Sequence, residues 1–493
     1  MIAPAAKPQT VYVADDSTAI AAGANRVAAE LSRLPNVRVV RTSSRGAFFL
    51  EPMVEVDTPQ GRAAYLNVQP REVPGLFRKK PVPLARIPFL AKQTRYTFAR
   101  FGENEPLDLA GYGFRAWQKA REMSPQQILA EIKRANLRGR GGAAFPAGIK
   151  WQTTADTPTE PKYIVANADE GDPGTYADRM ILEGEPYRLL EGMMIAARAV
   201  GARQGYIYIR SEYPAAIQKM RAAIAQAREF GVLSESQFDV DVVVGAGAYI
   251  CGEETALLES IEGKRGMVRY KPPFPAVEGL WGKPTVINNV ITLATVPDII
   301  LRGADWHLSL GTETSKGTMP LQLAGQIRQP GLVEVPFGLT LEEVIYDFGG
   351  GLPRGCRFKA VQVGGPLGAL FPARLLNTRI CFDALAKAGG ILGHGGIVVY
   401  DDQTDMVQLA HHFMEFTANE SCGKCTPCRI GSTRASELLQ AVLDGDAVPE
   451  DIALLRELGD TMKNGSLCGL GAMAPAPVLT ALEYFPNDFG RRL

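Results

Sequence analysis

Three cysteines, Cys422, Cys425 and Cys428, fall at successive three-residue steps, and Cys468 follows 40 residues later within Gly465-Ser-Leu-Cys-Gly-Leu-Gly. One loop bearing three thiols can wrap a cubane and present three ligands to it. A fourth thiol in a small-residue setting lets backbone N–H groups approach the sulfides. The 3 + 1 spacing therefore suits four irons rather than two. Zinc is the competitor, but its usual ligand set pairs two Cys-x-x-Cys knuckles, which a triple run plus one distant cysteine matches less well. A helix hairpin between Cys428 and Cys468 would return the fourth ligand. Cys251, Cys356 and Cys381 stand singly among apolar neighbours and read as small buried hydrophobes.

At 493 residues the chain exceeds one ordinary core, so three or four domains are expected. Lys plus Arg and Asp plus Glu number 53 each, so no net field favours nucleic acid, an anionic membrane or an acidic substrate. Small-molecule and protein partners are expected instead. Met1–Thr10 lacks the apolar run of a secretory signal, and no run of ~18 apolar residues could span a bilayer, so a cytoplasmic location is expected. A reducing cytosol disfavours disulfides, which leaves metal ligation or burial for the seven cysteines.

Hydrophobic periodicity places strands at Thr10–Ala14, Val37–Arg41, Val54–Val56 and Ala63–Leu66, with a helix over Ala19–Leu34. Proline-rich residues 74–106 read as a connector. Ser124-Pro-Gln-Gln127 has the form of a helix start. Beyond it, apolar strands at Tyr163–Val165, Tyr206–Ile209 and Val240–Val244 alternate with helical stretches around Ala196, Ala222 and Leu257, an α/β layered pattern. Met319–Tyr400 reads as a compact α+β module with one helical stretch at Leu341–Phe348, and the remainder as a short helical bundle bearing the cysteines.

Gly139-Arg-Gly-Gly-Ala-Ala-Phe145-Pro-Ala-Gly148-Ile-Lys150-Trp151 formally satisfies G-x-G-x-x-A, but it follows a helix rather than a strand, so the dinucleotide fingerprint is discounted. Its exposed backbone N–H groups can still cradle a phosphate or lie flat on a ring, with Arg140 and Lys150 supplying positive charge. An ordinary turn-rich loop is the alternative. Asn167-Ala-Asp169-Glu170-Gly-Asp172 follows an apolar strand, where open α/β sheets bind ligands, and its carboxylates could accept from ribose or ribityl hydroxyls. A solvated acidic loop is the other reading. Val244–Glu254 repeats the strand, glycine turn and acid-capped helix, and two such loops in one sheet favour a nucleotide cleft.

Taken in order, Gly139–Trp151, Asn167–Arg179, Gly247–Glu254, Lys271-Pro-Pro-Phe274-Pro, Gly282-Lys-Pro-Thr-Val-Ile-Asn288-Asn289-Val and the cysteine quartet resemble the flavin- and NADH-binding subunit of respiratory complex I and its relatives. Those relatives include the diaphorase subunits of NAD-linked hydrogenases and the beta subunit of NAD-dependent molybdenum formate dehydrogenases. The resemblance implies non-covalent FMN held by Gly139, Arg140, Gly141, Gly142, Ala143, Lys150, Asn167, Asp169, Glu170, Gly252, Glu253, Asn288 and Asn289, with Thr292 near the phosphate. It implies NAD(H) stacked between Phe145 and Phe274 with Glu254 and Lys271 in contact, and a [4Fe–4S] cluster on Cys422, Cys425, Cys428 and Cys468. Two departures touch the nicotinamide contact and the adenine sandwich. Asp172 stands where relatives carry glutamate, and Thr153 where they carry a second aromatic.

The first 100 residues look like the thioredoxin-like [2Fe–2S] domain of partner subunits, stripped of every cysteine, and such a fused domain most resembles formate dehydrogenase beta subunits. The implied layout is α/β and multidomain: 1–100 thioredoxin-like, 101–317 Rossmann-like for FMN and NAD(H), 318–402 ubiquitin-like (β-grasp) α+β, and 403–493 the helical [4Fe–4S] domain. The implied function is a diaphorase subunit exchanging hydride between NAD(H) and FMN, at the NAD+-reducing end of a formate dehydrogenase. The alternative is the NADH-input subunit of a complex I-type or hydrogenase assembly. A [2Fe–2S] thioredoxin-like subunit and a large molybdenum/iron–sulfur subunit are the expected partners, without nucleic acid or membrane. FMN converts two-electron into one-electron chemistry, so no side chain need act as catalytic acid or base. His307, His394, His411 and His412 receive no role.

Overall fold

A computed structural model describes residues 8–492; the start of the segment compared above with a secretory signal, up to residue 7, lies outside them. Near the N-terminus, β1 (Gln9–Ala14), β2 (Val37–Thr42), β3 (Val54–Thr58), β4 (Gly61–Tyr65) and β5 (Val82–Pro83) form a sheet in the order β2-β1-β3-β4-β5. β1 and β2 run parallel and the other neighbours antiparallel. The single helix expected over Ala19–Leu34 is two, α1 (Ser17–Ala22) and α2 (Ala24–Leu31). Gly23 adopts φ 108°, left-handed backbone that caps α1 and cannot continue it.

The second sheet carries the site. β6 (Tyr163–Ala168), β7 (Gln204–Arg210), β8 (Asp239–Gly245) and β9 (Thr285–Asn289) lie in the order β8-β7-β6-β9, all parallel. Its helices are α3 (Pro125–Arg134), α4 (Ala147–Asp156), α5 (Ala177–Gly184), α6 (Pro186–Val200), α7 (Pro214–Glu229), α8 (Glu254–Ile261) and α9 (Val290–Arg302). Ser124 starts α3 as its sequence requires, its hydroxyl accepting from Gln127 N–H while the Gln127 side chain accepts from Ser124 N–H. On one face α6 is buried along nearly its whole length against α9. Gly192 permits that approach, because a Cβ there would overlap the Leu293 carbonyl.

The third sheet holds β10 (Thr318–Gly325), β11 (Gly331–Pro336), β12 (Phe358–Val363), β13 (Ala369–Pro372) and β14 (Gly396–Asp401) in the order β11-β10-β14-β12-β13, with only β10 and β14 parallel. The helical stretch expected at Leu341–Phe348 is a short α-turn that widens into a π-helix at Val344. The C-terminal bundle comprises α10 (Met406–Glu420), α11 (Thr426–Asp444), α12 (Pro449–Gly465), α13 (Gly469–Met473) and α14 (Pro475–Tyr484). α11 and α12 are the hairpin expected between Cys428 and Cys468, turning at Gly445 (φ 79°). Among the described residues, no helix is long and apolar enough to cross a membrane.

The stretch that reads as a connector is not a free linker. Tyr96, Phe98 and Phe101 are buried, and Ile87 and Phe89 join Leu50 and Met53 in one core with β10, β11 and β14. The fully buried Glu334 carboxylate of β11 accepts from the backbone N–H groups of Tyr96 (3.1 Å), Thr97 (3.1 Å) and Phe98 (2.9 Å) and from the Thr318 hydroxyl (2.6 Å). Four donors converging on one carboxylate fix the segment, and an amide nitrogen there would face donors. Glu334→Gln should therefore destabilise the junction by about 2–4 kcal/mol, read as a lower first thermal transition of the full chain; an unchanged transition would refute the assignment.

Candidate functional site

Strand order locates the cleft before any side chain is considered. From β6 the chain steps outward to β7 and β8, then returns to the other side of β6 for β9. The order thus reverses between β6 and β9, and ligands of open parallel sheets bind at such a switch point, beyond the carboxyl ends of the strands. Asn167 and Asn289 are direct partners there. Asn167 Nδ2 donates to the Gly252 carbonyl (2.8 Å), joining the two acidic loops. Asn289 caps α9 through Oδ1 and donates through Nδ2 to Asp178 (2.7 Å), while Asn288 Oδ1 accepts from the buried Trp151 indole (2.7 Å).

The glycine-rich loop is folded over this junction. It is pinned by the Arg138–Pro146 bridge and the Gly139 N–H to Phe145 carbonyl bond (2.9 Å). Gly142 and Ala144 both have positive φ. A Cβ on Gly141 would fall 2.8 Å from Asn289 Cβ, so backbone alone fits above the switch point. Gly141 and Ala143 are exposed, leaving peptide groups open to a flat ligand. Such a cradle, bounded by amide side chains and free of Cβ bulk, fits a flavin.

Arg140 requires a correction. Its guanidinium is buried, packs over Phe337 (4.7 Å) and donates to the carbonyls of Arg138 and Lys316, so it supplies no charge to the cleft. Its backbone N–H instead donates to Thr292 Oγ1 (2.9 Å), so the buried Thr292 hydroxyl holds the loop. Lys150 does face the cleft's charged floor. Its ammonium lies 3.1 Å from Glu254 and donates to the Ile287 carbonyl (2.9 Å), and Lys271 pairs with Glu253 (3.0 Å) and Glu254 (3.4 Å). Burial alone would raise the Glu254 carboxyl, but the two ammonium groups hold it below its usual value. Glu253 also caps α8.

The acidic loop divides by environment. Burial raises Asp169 to about 7. Asp172 is likewise raised by burial, and it accepts from Tyr249 Oη (2.7 Å). Glu170, at positive φ, turns inward and accepts from the N–H groups of Asp178 and Arg179 (2.9 Å each) and from Tyr213 Oη (3.1 Å). Its last partner is His394, a residue to which sequence reasoning gave no role. At the mouth, Phe145 and Phe274 are 51% and 57% exposed, apolar rings open to a ligand. Thr153 is exposed and its hydroxyl donates to the Ile149 carbonyl, so it adds no aromatic wall.

The cysteine quartet lies beside the same sheet. Cys428 sits in the first turn of α11 and Cys468 directly precedes α13. All four share one apolar cluster with Val165 of β6, Ile287 of β9 and Cys251. Ser466 Oγ is buried without a partner near Gly471 and Cys428, a donor awaiting a sulfur, and Ser421 Oγ lies 3.3 Å from Cys428 Sγ. Lys424, inside the cysteine loop, donates to the Val268 carbonyl (2.6 Å) and caps the Tyr270 ring. Tyr249 N–H donates to Glu420 of α10 (2.9 Å), so both acidic loops and the cluster loop are tied together.

Comparison with known proteins agrees with this geometry. Residues 132–298 match the family described as the Nuo51 FMN-binding domain, and residues 408–492 match the NADH-ubiquinone oxidoreductase-F iron–sulfur binding region. The chain is 46% identical over 408 residues to the NADP-reducing hydrogenase subunit HndC of Solidesulfovibrio fructosivorans, covering 81% of this chain and 83% of that protein. It is 46% identical over 387 residues to an NADH-quinone oxidoreductase subunit of Rhizobium meliloti, covering 77% and 92%. Its fold matches a crystal structure of an NAD+-reducing [NiFe]-hydrogenase in the H2-reduced state, with a TM-score of 0.74, 31% identity, and 99% of this chain and 84% of that one covered. The chain belongs to the family of the flavin- and NADH-binding subunit of respiratory complex I, whose cofactors are FMN and a [4Fe–4S] cluster and whose substrate is NAD(H).

Proposed function

We propose that this subunit is the diaphorase end of an assembly that reduces NAD+ with electrons from formate oxidised on a separate molybdenum subunit. The observation that carries the diaphorase reading is the apolar cluster shared by the β6–β9 switch point and the four cysteines, which makes flavin pocket and cluster site one packed unit. FMN exchanges hydride with NAD(H) and hands over electrons singly, as an iron–sulfur cluster requires. In this reading Gly139–Ala143, Asn167, Asn288 and Asn289 hold the flavin. Phe145 and Phe274 flank NAD(H), above the Lys150–Glu254–Lys271–Glu253 floor. The quartet Cys422, Cys425, Cys428 and Cys468 ligates the cluster.

The N-terminal sheet order β2-β1-β3-β4, with β1 and β2 parallel, supports a thioredoxin-like domain, and β11-β10-β14-β12-β13 supports a ubiquitin-like one. No cysteine precedes Cys251, so the first domain serves docking rather than electron transfer, toward a [2Fe–2S] subunit in the cytoplasm. Hydrogen as the electron source is the second reading. It is favoured by the similarity to an NAD+-reducing hydrogenase, which extends over 99% of this chain and so includes the cysteine-free domain.

Three measurements test these assignments. Cys425→Ala should remove about four irons per chain and the visible sulfur-to-iron absorbance, and unchanged iron would refute the quartet. Gly141→Ala should lower bound flavin roughly tenfold, read by fluorescence after heat release, because its methyl meets Asn289; full retention would displace the pocket. Metal analysis of the native complex should find molybdenum with iron and FMN. Nickel in its place would establish the second reading.

A further inference from the structure

His394 lies in the turn before β14 of the third sheet, yet its ring is buried among the elements of the flavin pocket. Nδ1 is 2.8 Å from the Arg140 carbonyl of the glycine-rich loop. Nε2 is 3.1 Å from Glu170 Oε1 and 3.3 Å from Asp178 Oδ1. A carbonyl can only accept, so Nδ1 must carry a proton. The atoms facing Nε2 are carboxylate oxygens, and Asp178 Oδ1 is buried with no other partner. A neutral ring would aim a lone pair at both.

We propose that His394 is a doubly protonated positioning residue, which clamps the glycine-rich loop to Glu170 and Asp178 and thereby holds the flavin pocket closed around its ligand. Through Asp178 the clamp reaches Asn289, and through Glu170 it reaches the acidic loop, so one ring from the third sheet joins three elements of the second. Burial opposes the charge, but Asp178 and Glu170 raise the histidine well above its ordinary range. The groups that face the ring are Glu170 and Asp172 from the loop after β6, Asp178 from α5 and the Arg140 carbonyl, with Tyr213 on the far oxygen of Glu170. The same three ligand atoms could close on a divalent cation. Glu170 already accepts from three donors besides the histidine, and an Nε2 proton satisfies the orphaned Asp178 oxygen without an ion.

The inference rests on the pocket proposed above, and the test separates the two. Flavin-depleted full-length chain would be titrated with FMN from about pH 6 to about pH 8.5, for the wild type, His394→Gln and His394→Gln/Asp178→Asn. Wild type that binds no FMN overturns the pocket itself. Above about pH 7.5 the clamp predicts flat wild-type affinity, because the Asp178 carboxyl, which burial raises to about 6, is ionised there against the imidazolium. In His394→Gln two buried carboxylates lose their counter-charge, so FMN should bind at least about tenfold more weakly, and worse as pH rises and the burial-raised Asp178 ionises. The double variant removes one of those charges and should return to within about threefold, with a flat profile. A His394→Gln chain that fails to fold while the double variant folds supports the clamp equally. Wild-type affinity in His394→Gln, no recovery in the double variant, or a stoichiometric non-iron metal lost with His394 overturns it.

Discussion

The pairing of β9 with β6 is the constraint from which the site follows. Had β9 joined the outer edge at β8, Asn167 and Asn289 would lie at opposite ends of the sheet and no crevice would open between their loops. Because they are neighbours, three chain segments distant in sequence converge on one point: the glycine loop above, the Asn167–Asp172 loop on one side and the α9 start on the other. The glycine loop donates from Arg140 N–H to Thr292 at the α9 start, the acidic loop is bonded to Gly252 and Tyr249, and Asn289 donates to Asp178, so the walls of the pocket brace one another.

Its electrostatics obey the same logic. Ionisable side chains from both acidic loops, α4, the Lys271 segment and the third sheet gather around the cleft, where each in isolation would be costly to bury. Lys150 and Lys271 answer Glu254 and Glu253, and His394 answers Glu170 and Asp178. Asp169 is the exception, raised to about 7 because burial outweighs the attraction of Arg210.

The sequence was most informative where a residue's role is local. The Ser124 capping box, the strand beginning at Tyr163, the glycine run and the triple-cysteine run each declare themselves within ten residues or fewer, and the first two occupy the expected elements. It was least informative where direction decides function. Nothing in the neighbourhood of Arg140 indicates that its guanidinium turns back to the Lys316 carbonyl, because Lys316 lies 176 positions away. His394 was passed over for the same reason: a histidine between glycines reads as a turn, and its partners come from residues 140, 170 and 178. The helix over Ala19–Leu34 failed differently. Its apolar spacing continues through Gly23, and only a backbone in left-handed conformation reveals the break.

Electron flow adds a last restriction on the architecture. A hydride carries two electrons and an iron–sulfur cluster accepts one at a time, so FMN held at the switch point would supply the conversion to a cluster held by the quartet. Seven cysteines, four of them in the quartet and three dispersed, leave no second set of ligands in the chain. Beyond the quartet, the sequence offers no clustered cysteines that could carry electrons onward. Cys422, Cys425 and Cys468 are partly exposed whereas Cys428 faces the shared core, so the cluster site has an inner side toward the flavin sheet and an outer side toward solvent. The triple-cysteine loop supplies the outer side, and Lys424 ties that loop back to the nucleotide segment through Val268 and Tyr270. Contact made on the outer side would therefore meet a loop tied to the Val268–Tyr270 segment, so the two regions share one physical boundary.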